Sequence, residues 1–269
     1  MFIFVATAAT AAEPLPMSAA AIAVKQIIAH RGASSDCPEN TLASTRRAIA
    51  VHATAIEVDV RLSKDRQLVL RHDAELERTT NGKGKINEKT LAELKQLDAG
   101  SWFDPKFAGE KIPTLAEVVS ICKGQIDVLL DLKEDGSEYA ELVAATIKEH
   151  GEESRTIVGV RSVEHARQFR KLLPKARQLG LMAKPDEIEA YAAAGVEMIS
   201  LWPKWLSSEN ESGEKLVARV RAAKVQLHLN GTTGKRDEVL PLLTHRPDSL
   251  SADNPAQLLA TLREISSGK

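Results

Sequence analysis

Residues 55–60 read Ala-Ile-Glu-Val-Asp-Val, an apolar run interrupted by two carboxylates. A short run rich in β-branched residues is typical of a β-strand. Segments of this kind recur along the chain with helical patterns between them, and several are apolar throughout, which predicts a parallel sheet buried on both faces. The predicted strands are Gln26–Ala29, Ala55–Val60, Gln67–Arg71, Ile126–Leu132, Thr156–Val160, Arg177–Leu181, Met198–Trp202 and Val225–Leu229.

Eight strands with intervening helices are the number that closes a (β/α)8 TIM barrel, and a length of 269 residues suits this α/β fold. The alternative is an open doubly wound sheet, but no Gly-rich dinucleotide-binding turn follows any predicted strand. The connection after the third predicted strand is longer than usual. We therefore expect a small insertion at about residues 74–113, on the barrel face that carries active sites.

The first 24 residues differ from the rest in composition. An apolar start leads into a stretch rich in alanine and threonine, where Ala9-Thr10-Ala11 has the small-x-small pattern of a signal-peptidase site. We expect residues 1–24 to be a signal peptide or a disordered segment, and residues 25–269 to form the barrel. A signal peptide predicts export to the periplasm or the medium, whereas its absence predicts a cytoplasmic protein.

Charge and hydropathy limit the class of partner. The formal net charge is −1, so no global field attracts nucleic acid or an anionic membrane. After the N-terminal segment no apolar run is long enough to span a bilayer, and we expect no stable membrane insertion. A small-molecule substrate is favoured, and the oligomeric state stays open. Cys37 and Cys122 allow one disulfide but do not require it.

Carboxylates cluster on two of the predicted strands. Because side chains alternate along a strand, Glu57, Asp59 and Arg61 share one face of the second strand. Asp131 and Lys133 likewise share one face of the fourth. Buried carboxylates need compensation, and one divalent cation, Mg²⁺ or Ca²⁺, would provide it through oxygen ligands. The alternative is a structural ion-pair cluster of the three carboxylates with Arg61 and Lys133.

Two histidines end predicted strands at the same end of the barrel: His30 the first strand and His72 the third. Imidazoles titrate near neutrality, so one can accept a proton while the other donates one. Arg31 offers a planar guanidinium for a phosphate or a carboxylate. The other histidines have no partner motif, and we expect surface or packing roles for His52, His150, His165, His228 and His245.

A set of motifs resembles the glycerophosphodiester phosphodiesterase family of (β/α) barrels: His30-Arg-Gly, Pro38-Glu-Asn-Thr41, Glu57-Val-Asp-Val60, His72-Asp73, Ile112-Pro-Thr-Leu115, Leu130-Asp-Leu-Lys-Glu134 and Ser251-Ala-Asp-Asn-Pro255. The likeness begins at about Gln26. The segment Gly100-Ser-Trp-Phe-Asp104 resembles part of the family's extra subdomain after the third strand.

The resemblance implies catalytic and metal-binding roles. His30 and His72 would be the general acid/base pair. Glu57, Asp59 and Asp131 would be the metal ligands. Asp131 stands where the family usually has a glutamate, which is one methylene longer. This departure would lengthen one metal contact or admit a water, so the metal preference stays open between Mg²⁺ and Ca²⁺.

The resemblance also implies substrate contacts. Arg31 and Lys133 would contact the phosphate, and Glu39 would help to form the site. The family often has Trp-Thr-Val-Asn near its last strand, whereas this chain has Leu227-His-Leu-Asn230 and lacks the aromatic residue. Trp202 would supply apolar contact to the alcohol instead, and packing at the core or rim is the alternative for it.

The implied reaction is the metal-dependent hydrolysis of glycerophosphodiesters to glycerol 3-phosphate and an alcohol. One alternative is a lysophospholipase D-like enzyme that acts on lipid phosphodiesters. That enzyme would need an apolar groove for an acyl chain, which an aromatic content of 4% does not indicate. The other alternative is a barrel that binds a phosphate ligand without turnover. The presence of both histidines and three carboxylates disfavours it.

Overall fold

The computed structural model describes residues 16–207 and 213–268. The strands in these residues are β1 (Gln26–Ala29), β2 (Ala55–Leu62), β3 (Leu68–Leu70), β4 (Asp127–Leu132), β5 (Thr156–Val160), β6 (Arg177–Gly180), β7 (Met198–Leu201), β8 (Gln226–Thr232) and β9 (Ser249–Ala252). The α-helices are α1 (Met17–Ala23), α2 (Leu42–Ala50), α3 (Leu91–Leu94), α4 (Leu115–Cys122), α5 (Ser137–His150), α6 (Val163–Leu172), α7 (Ile188–Ala193), α8 (Pro203–Leu206), α9 (Gly213–Ala222), α10 (Arg236–Thr244) and α11 (Pro255–Ser266).

Eight of these strands close a parallel barrel. The order around the ring is β1-β9-β8-β7-β6-β5-β4-β2, and β1 pairs with β2 to close it. Helices cover the outside and form the main apolar core with the outward-facing strand residues. The predicted (β/α)8 TIM barrel is confirmed.

The prediction that residues 67–71 form a strand of the barrel is wrong. The segment 67–71 forms β3, which pairs antiparallel with β2 and lies outside the ring. The remaining place in the barrel belongs to β9, whose sequence Ser-Leu-Ser-Ala is short and half polar. A local pattern of apolar residues indicates that a strand forms but not the direction in which it pairs, so the sequence predicted a barrel strand at residues 67–71 and no strand at β9.

Alternation along the strands separates an outer from an inner face. Ile56, Val58 and Val60 of β2 enter the main core, whereas Glu57 and Asp59 point into the barrel. A second, smaller apolar cluster fills the barrel interior below the carboxylates; it consists of Ile28, Ala55, Leu129, Ile157, Leu179, Leu181 and Met198. The charged groups therefore lie above an apolar floor.

The predicted insertion follows β3 and has its own core. Two 3-10 turns and the short helix α3 lie within it. Its buried residues form a cluster separate from the barrel core: Val69, Leu76, Ile86, Leu94, Ala99 and Ile112. The bridge between Val69 and Thr114 joins β3 to the end of this segment.

The N-terminal prediction falls mostly on residues outside the described range. Ala9-Thr10-Ala11 lies there, so export stays a prediction. From Met17 onward the chain forms α1, whose Ala20 and Ala21 pack into the main core beside α11. In the described residues, no helix has the length and apolarity needed to cross a membrane. Cys37 and Cys122 are both buried and both free thiols.

Candidate active site

A pocket of about 220 Å³ opens at the carboxyl ends of the barrel strands. This is the face where TIM barrels carry their functional sites. Every predicted site residue except Glu39 lines this pocket. Glu39 does not line it but forms an ion pair with Arg31, which does. The pocket is lined by His30, Arg31, Glu57, Asp59, His72, Leu129, Asp131, Lys133, Arg161, Leu179, Leu181, Trp202, His228, Asn230 and Ser251.

Three carboxylates converge on one side of this pocket. Asp59 and Asp131 are direct neighbours in the parallel register of β2 and β4, and Glu57 lies two residues before Asp59. One oxygen from each of the three lies within 4.8 Å of the others. Such a set of oxygen donors is the kind that Mg²⁺ or Ca²⁺ prefers, so these residues could hold a divalent cation.

Glu57 is the least compensated of the three. Its side chain is buried and accepts a 2.8 Å hydrogen bond from the backbone N–H of Arg31. Within the described part of the chain, no lysine or arginine side chain forms an ion pair with it. Burial and the neighbouring charge of Asp59 raise the pKa of Glu57 to about 8. A bound cation would relieve this penalty, so the donor set fits one.

Asp59 is held from two sides. Lys133 Nζ lies 2.8 Å from its Oδ1, and the side-chain amide of Asn40 donates to its Oδ2 at 2.7 Å. Burial alone would raise the pKa of Asp59, but these two partners lower it below its usual range. The second half of the Asn40 amide accepts the backbone N–H of Asp59 at 3.1 Å. Asn40, from the Pro38–Thr41 motif, thus fixes the carboxylate in an ionised state.

Asp131 reaches the cluster despite its shorter side chain. Lys133 Nζ lies 2.5 Å from its Oδ2, and Arg161 pairs with its other oxygen. Arg161 also donates to the carbonyl of Leu132 at 3.2 Å, which orients the guanidinium. The predicted ion-pair partner Arg61 instead bonds to Glu134, outside the cluster. Sequence reasoning missed Arg161, although its position directly after β5 was a usable signal.

His30 directly follows β1 and is oriented by an aspartate. Its Nδ1 lies 2.7 Å from Oδ1 of Asp253, just after β9. Burial lowers the pKa of His30, but the hydrogen bond to Asp253 and the charge of Glu57 outweigh it, so the pKa lies above its ordinary value. Because Asp253 accepts the Nδ1 proton, Nε2 is the nitrogen available to a ligand. Asp253 was missed as a functional residue although it belongs to the closing motif.

His72 is oriented in a similar way from the insertion. Its Nδ1 lies 2.7 Å from Asp73, which accepts a 2.5 Å hydrogen bond from Arg78 Nε. The other end of Arg78 donates to both oxygens of Glu39, at 2.9 and 2.7 Å. Glu39 in turn accepts from Arg31 at 3.1 Å. Arg78 keeps the pKa of Asp73 far below its usual range. Burial would raise the pKa of Glu39, but Arg78 and Arg31 lower it below its usual value, so both carboxyl groups of this chain are ionised.

The opposite side of the pocket carries no charge. Trp202 lines it and donates through its indole N–H to the carbonyl of Met182 at 3.2 Å. His228 also lines it, although the sequence predicted a surface or packing role for this buried histidine. It was set aside because Leu227 and Leu229 beside it are apolar, but these residues point outward into the main core. The missing aromatic at position 227 therefore does not open the pocket.

Fold and site together define a TIM-barrel enzyme whose pocket combines paired histidines, cationic groups and a carboxylate cluster. The model of the glycerophosphoryl diester phosphodiesterase family matches residues 30–256. The chain therefore belongs to this family of phosphoric diester hydrolases, which confirms the family and the enzyme class that the motifs indicated.

Relatives and solved structures agree with this assignment. The glycerophosphodiester phosphodiesterase of Caldanaerobacter subterraneus is 34% identical over 244 residues, covering 88% of this chain and 98% of that protein. The match to YhdW of Bacillus subtilis, 51% identical over 112 residues, covers 42% of this chain and 46% of that protein.

Two solved structures share the fold, and each is identical to this chain at more than a quarter of the aligned positions. The Agrobacterium tumefaciens glycerophosphodiester phosphodiesterase superimposes with a TM-score of 0.73 at 27% identity, covering 87% of this chain and 99% of that one. An Oleispira antarctica phosphodiesterase, solved in complex with its product sn-glycerol-3-phosphate, gives a TM-score of 0.77 at 26% identity, covering 91% and 99%.

Proposed function

We propose that the protein hydrolyses glycerophosphodiesters to glycerol 3-phosphate and an alcohol, with a divalent cation and histidine acid/base catalysis. The observation that carries the proposal is the pairing of two histidines, each oriented by an aspartate, in one pocket with the carboxylate cluster. The product named in the Oleispira antarctica complex, sn-glycerol-3-phosphate, supports the same substrate class.

The cationic side of the pocket would bind the phosphate. Arg31, Lys133 and Arg161 line it together, and their donors suit the anionic oxygens of a phosphodiester. Lys133 is fixed between Asp59 and Asp131, and these charges outweigh its burial and raise its pKa, so it stays protonated. A preorganised positive charge is the form that stabilises charge developing on the phosphate in the transition state.

Glu57, Asp59 and Asp131 would hold one cation, Mg²⁺ or Ca²⁺. Bound there, the cation would act as a Lewis acid on the phosphate oxygens. The fit is supported by the buried, unpaired carboxyl of Glu57, because an additional positive charge is what this group lacks.

His30 and His72 would move the protons. One imidazole takes the proton from the glycerol 2-hydroxyl as its oxygen attacks phosphorus. The bond from phosphorus to the leaving alcohol oxygen breaks, and the other imidazole protonates that oxygen. A cyclic phosphate and the free alcohol result, and water then opens the ring to glycerol 3-phosphate. Aspartates at both Nδ1 atoms keep each Nε2 directed to this exchange.

The test is an assay on glycerophosphocholine after metal removal, with Mg²⁺ and Ca²⁺ added back separately and choline release measured. We expect no turnover without metal and recovery with at least one of the two ions. Glu57→Gln, which keeps the side-chain shape without the charge, should not recover with either ion. Full activity in the metal-free protein would contradict the cation site, and no hydrolysis under any condition would contradict the function.

A further inference from the structure

The pocket has a charged arc and a neutral arc. Around the barrel ring, β1, β2, β4 and β5 carry or precede the acidic and basic groups, whereas β6 to β9 make up the other half. Every pocket-lining residue on the second half is uncharged or can be neutral: Leu179, Leu181, Trp202, His228, Asn230 and Ser251. A phosphodiester of glycerol is likewise anionic at one end and neutral and hydroxylated at the other.

His228 is the polar group built most deeply into the neutral arc. Its side chain is 2% exposed, and its Nδ1 lies 2.9 Å from Oγ of Ser249, its register partner on β9. Within the described residues, Nε2 has no hydrogen-bond partner, although the ring lines the pocket. Because the rest of the side chain is buried, the pocket is the place from which a partner for Nε2 can come.

The chemistry of the imidazole selects the partner. Burial and the nearby charge of His30 lower the pKa of His228 to about 4, so the ring is neutral at neutral pH. In a neutral imidazole one nitrogen donates and the other accepts. Because Nδ1 bonds to Ser249, Nε2 is a donor or an acceptor depending on the tautomer. A hydroxyl group can meet Nε2 in either case, since it both donates and accepts. An anionic phosphate oxygen is better placed on the cationic arc, where three basic side chains are available.

We propose that His228 is a specificity-determining residue that hydrogen-bonds the terminal hydroxyl of the glycerol moiety through Nε2, and so selects deacylated glycerophosphodiesters over lysophospholipids. The inference rests on the proposed function and assigns the terminal hydroxyl of the substrate to the neutral arc. In a lysophospholipid this hydroxyl is esterified, so it cannot donate. Binding it would place an acyl ester against Nε2 in place of the hydroxyl, and sites built to bond a hydroxyl reject analogues that lack it.

The experiment compares two substrates that differ by that hydroxyl alone: glycerophosphocholine and the phosphocholine diester of propane-1,2-diol, which keeps the 2-hydroxyl. We expect the wild type to prefer the first by about 10- to 100-fold in kcat/KM, the range for leaving one buried polar group unpaired. In His228→Asn and His228→Thr this preference should fall to less than about threefold, mainly by loss of activity on glycerophosphocholine.

Controls separate specificity from folding. Ser200 is buried beside His228 in the register of β7 and β8 but does not line the pocket, so Ser200→Ala should keep the wild-type substrate ratio. A loss of structure would lower both activities together and leave the ratio unchanged. Equal rates on both substrates in the wild type, or an unchanged preference in both His228 variants when urea unfolding shows that they are folded, would overturn the inference alone. Hydrolysis of neither substrate by the wild type would overturn the proposed function, and the inference with it.

Discussion

An aspartate lies at each end of β4, and the two aspartates have different charged neighbours. At its start, Asp127 pairs with Arg155 at 3.1 Å and Arg177 at 2.5 Å, and Gln26 donates to it at 3.3 Å. At its end, Asp131 also has two cationic partners but shares its surroundings with two further carboxylates. The first cluster has all its negative charge matched by arginines. The second brings three carboxyl groups together, and one of them, Glu57, has no cationic side chain paired with it among the described residues and has its pKa raised to about 8.

This difference distinguishes a structural from a functional cluster in one barrel. Ion pairs at the amino-terminal face of the strands contribute to stability, and groups at the carboxyl-terminal face contribute to chemistry. Substitutions at the two ends should therefore separate stability from activity.

The largest expected effect is at the active-site end. His30→Ala removes one of the two proton-transfer groups, and we expect a loss of roughly 10³-fold in kcat on glycerophosphocholine. The free energy of unfolding, measured in urea, should change little because the His30 side chain is 38% exposed. Turnover at the wild-type rate would remove His30 from the mechanism.

Glu57→Gln should exchange activity for stability. The pKa of Glu57 is higher in the folded protein than in the unfolded chain. Between the ordinary carboxyl range and pH 8, the folded protein therefore keeps a proton that the unfolded chain has already released. The metal-free wild type therefore loses stability as pH rises through this window, by roughly 3 to 5 kcal/mol for this group. The neutral glutamine should abolish that loss.

The measurement is urea unfolding of both proteins at pH 5 and pH 8 in the presence of a chelator. Parallel pH dependences in wild type and Glu57→Gln would show that the carboxyl is already compensated without metal. Asp127→Asn is the matched control, because it removes a carboxylate from the other end of the barrel.

Asp127→Asn should have the reverse effect of the active-site substitutions. It leaves Arg155 and Arg177 without their common partner, which we expect to lower the free energy of unfolding by about 2 kcal/mol, since the groups are only partly exposed. Below the melting temperature, kcat should equal that of the wild type. A large loss of kcat in a folded Asp127→Asn protein would mean that the two ends are coupled.

Arg78→Lys is the smallest of these changes and refines the comparison. Lysine keeps the charge but cannot bond Asp73 and both oxygens of Glu39 at once. His72 and Arg31 then lose part of their orientation, and we expect about a tenfold lower kcat/KM at unchanged stability. Steady-state kinetics with a urea titration test this, and Arg66→Lys, at an exposed ion pair with Glu138, is a suitable control.

The sequence was most informative where chemistry and strand alternation coincide. Glu57 and Asp59 lie two residues apart on a strand, so the alternation alone put both carboxylates on the same face, which the structure shows to be the inner face of the barrel. Asp131 was predicted to supply a third carboxylate, but its position directly beside Asp59 follows from the pairing of β2 with β4, which are adjacent because β3 lies outside the ring. Their geometry follows the prediction, whereas the roles assigned to them stay with the proposed function.

Other parts of the site depend on contacts that no local pattern contains. Asp253 lies 223 positions from the histidine that it orients. The environment of His228 depends on which face of β8 points inward, and its apolar neighbours suggested packing instead. The antiparallel pairing of β3 with β2 could not be predicted from the sequence either, because a local pattern does not contain the direction of a strand.

The position of β3 outside the ring has a further consequence. His72 and Arg78 belong to the segment formed by β3 and the insertion, which has its own small core. His30 and the three carboxylates belong to the barrel strands and their ends. The two halves of the proposed proton exchange thus belong to segments with different cores, although Leu68 and Leu70 of β3 also pack into the main core. Grafting the segment 67–114 from another member of the family would transplant one histidine together with its Asp73–Arg78 support, while the cation ligands keep their original scaffold.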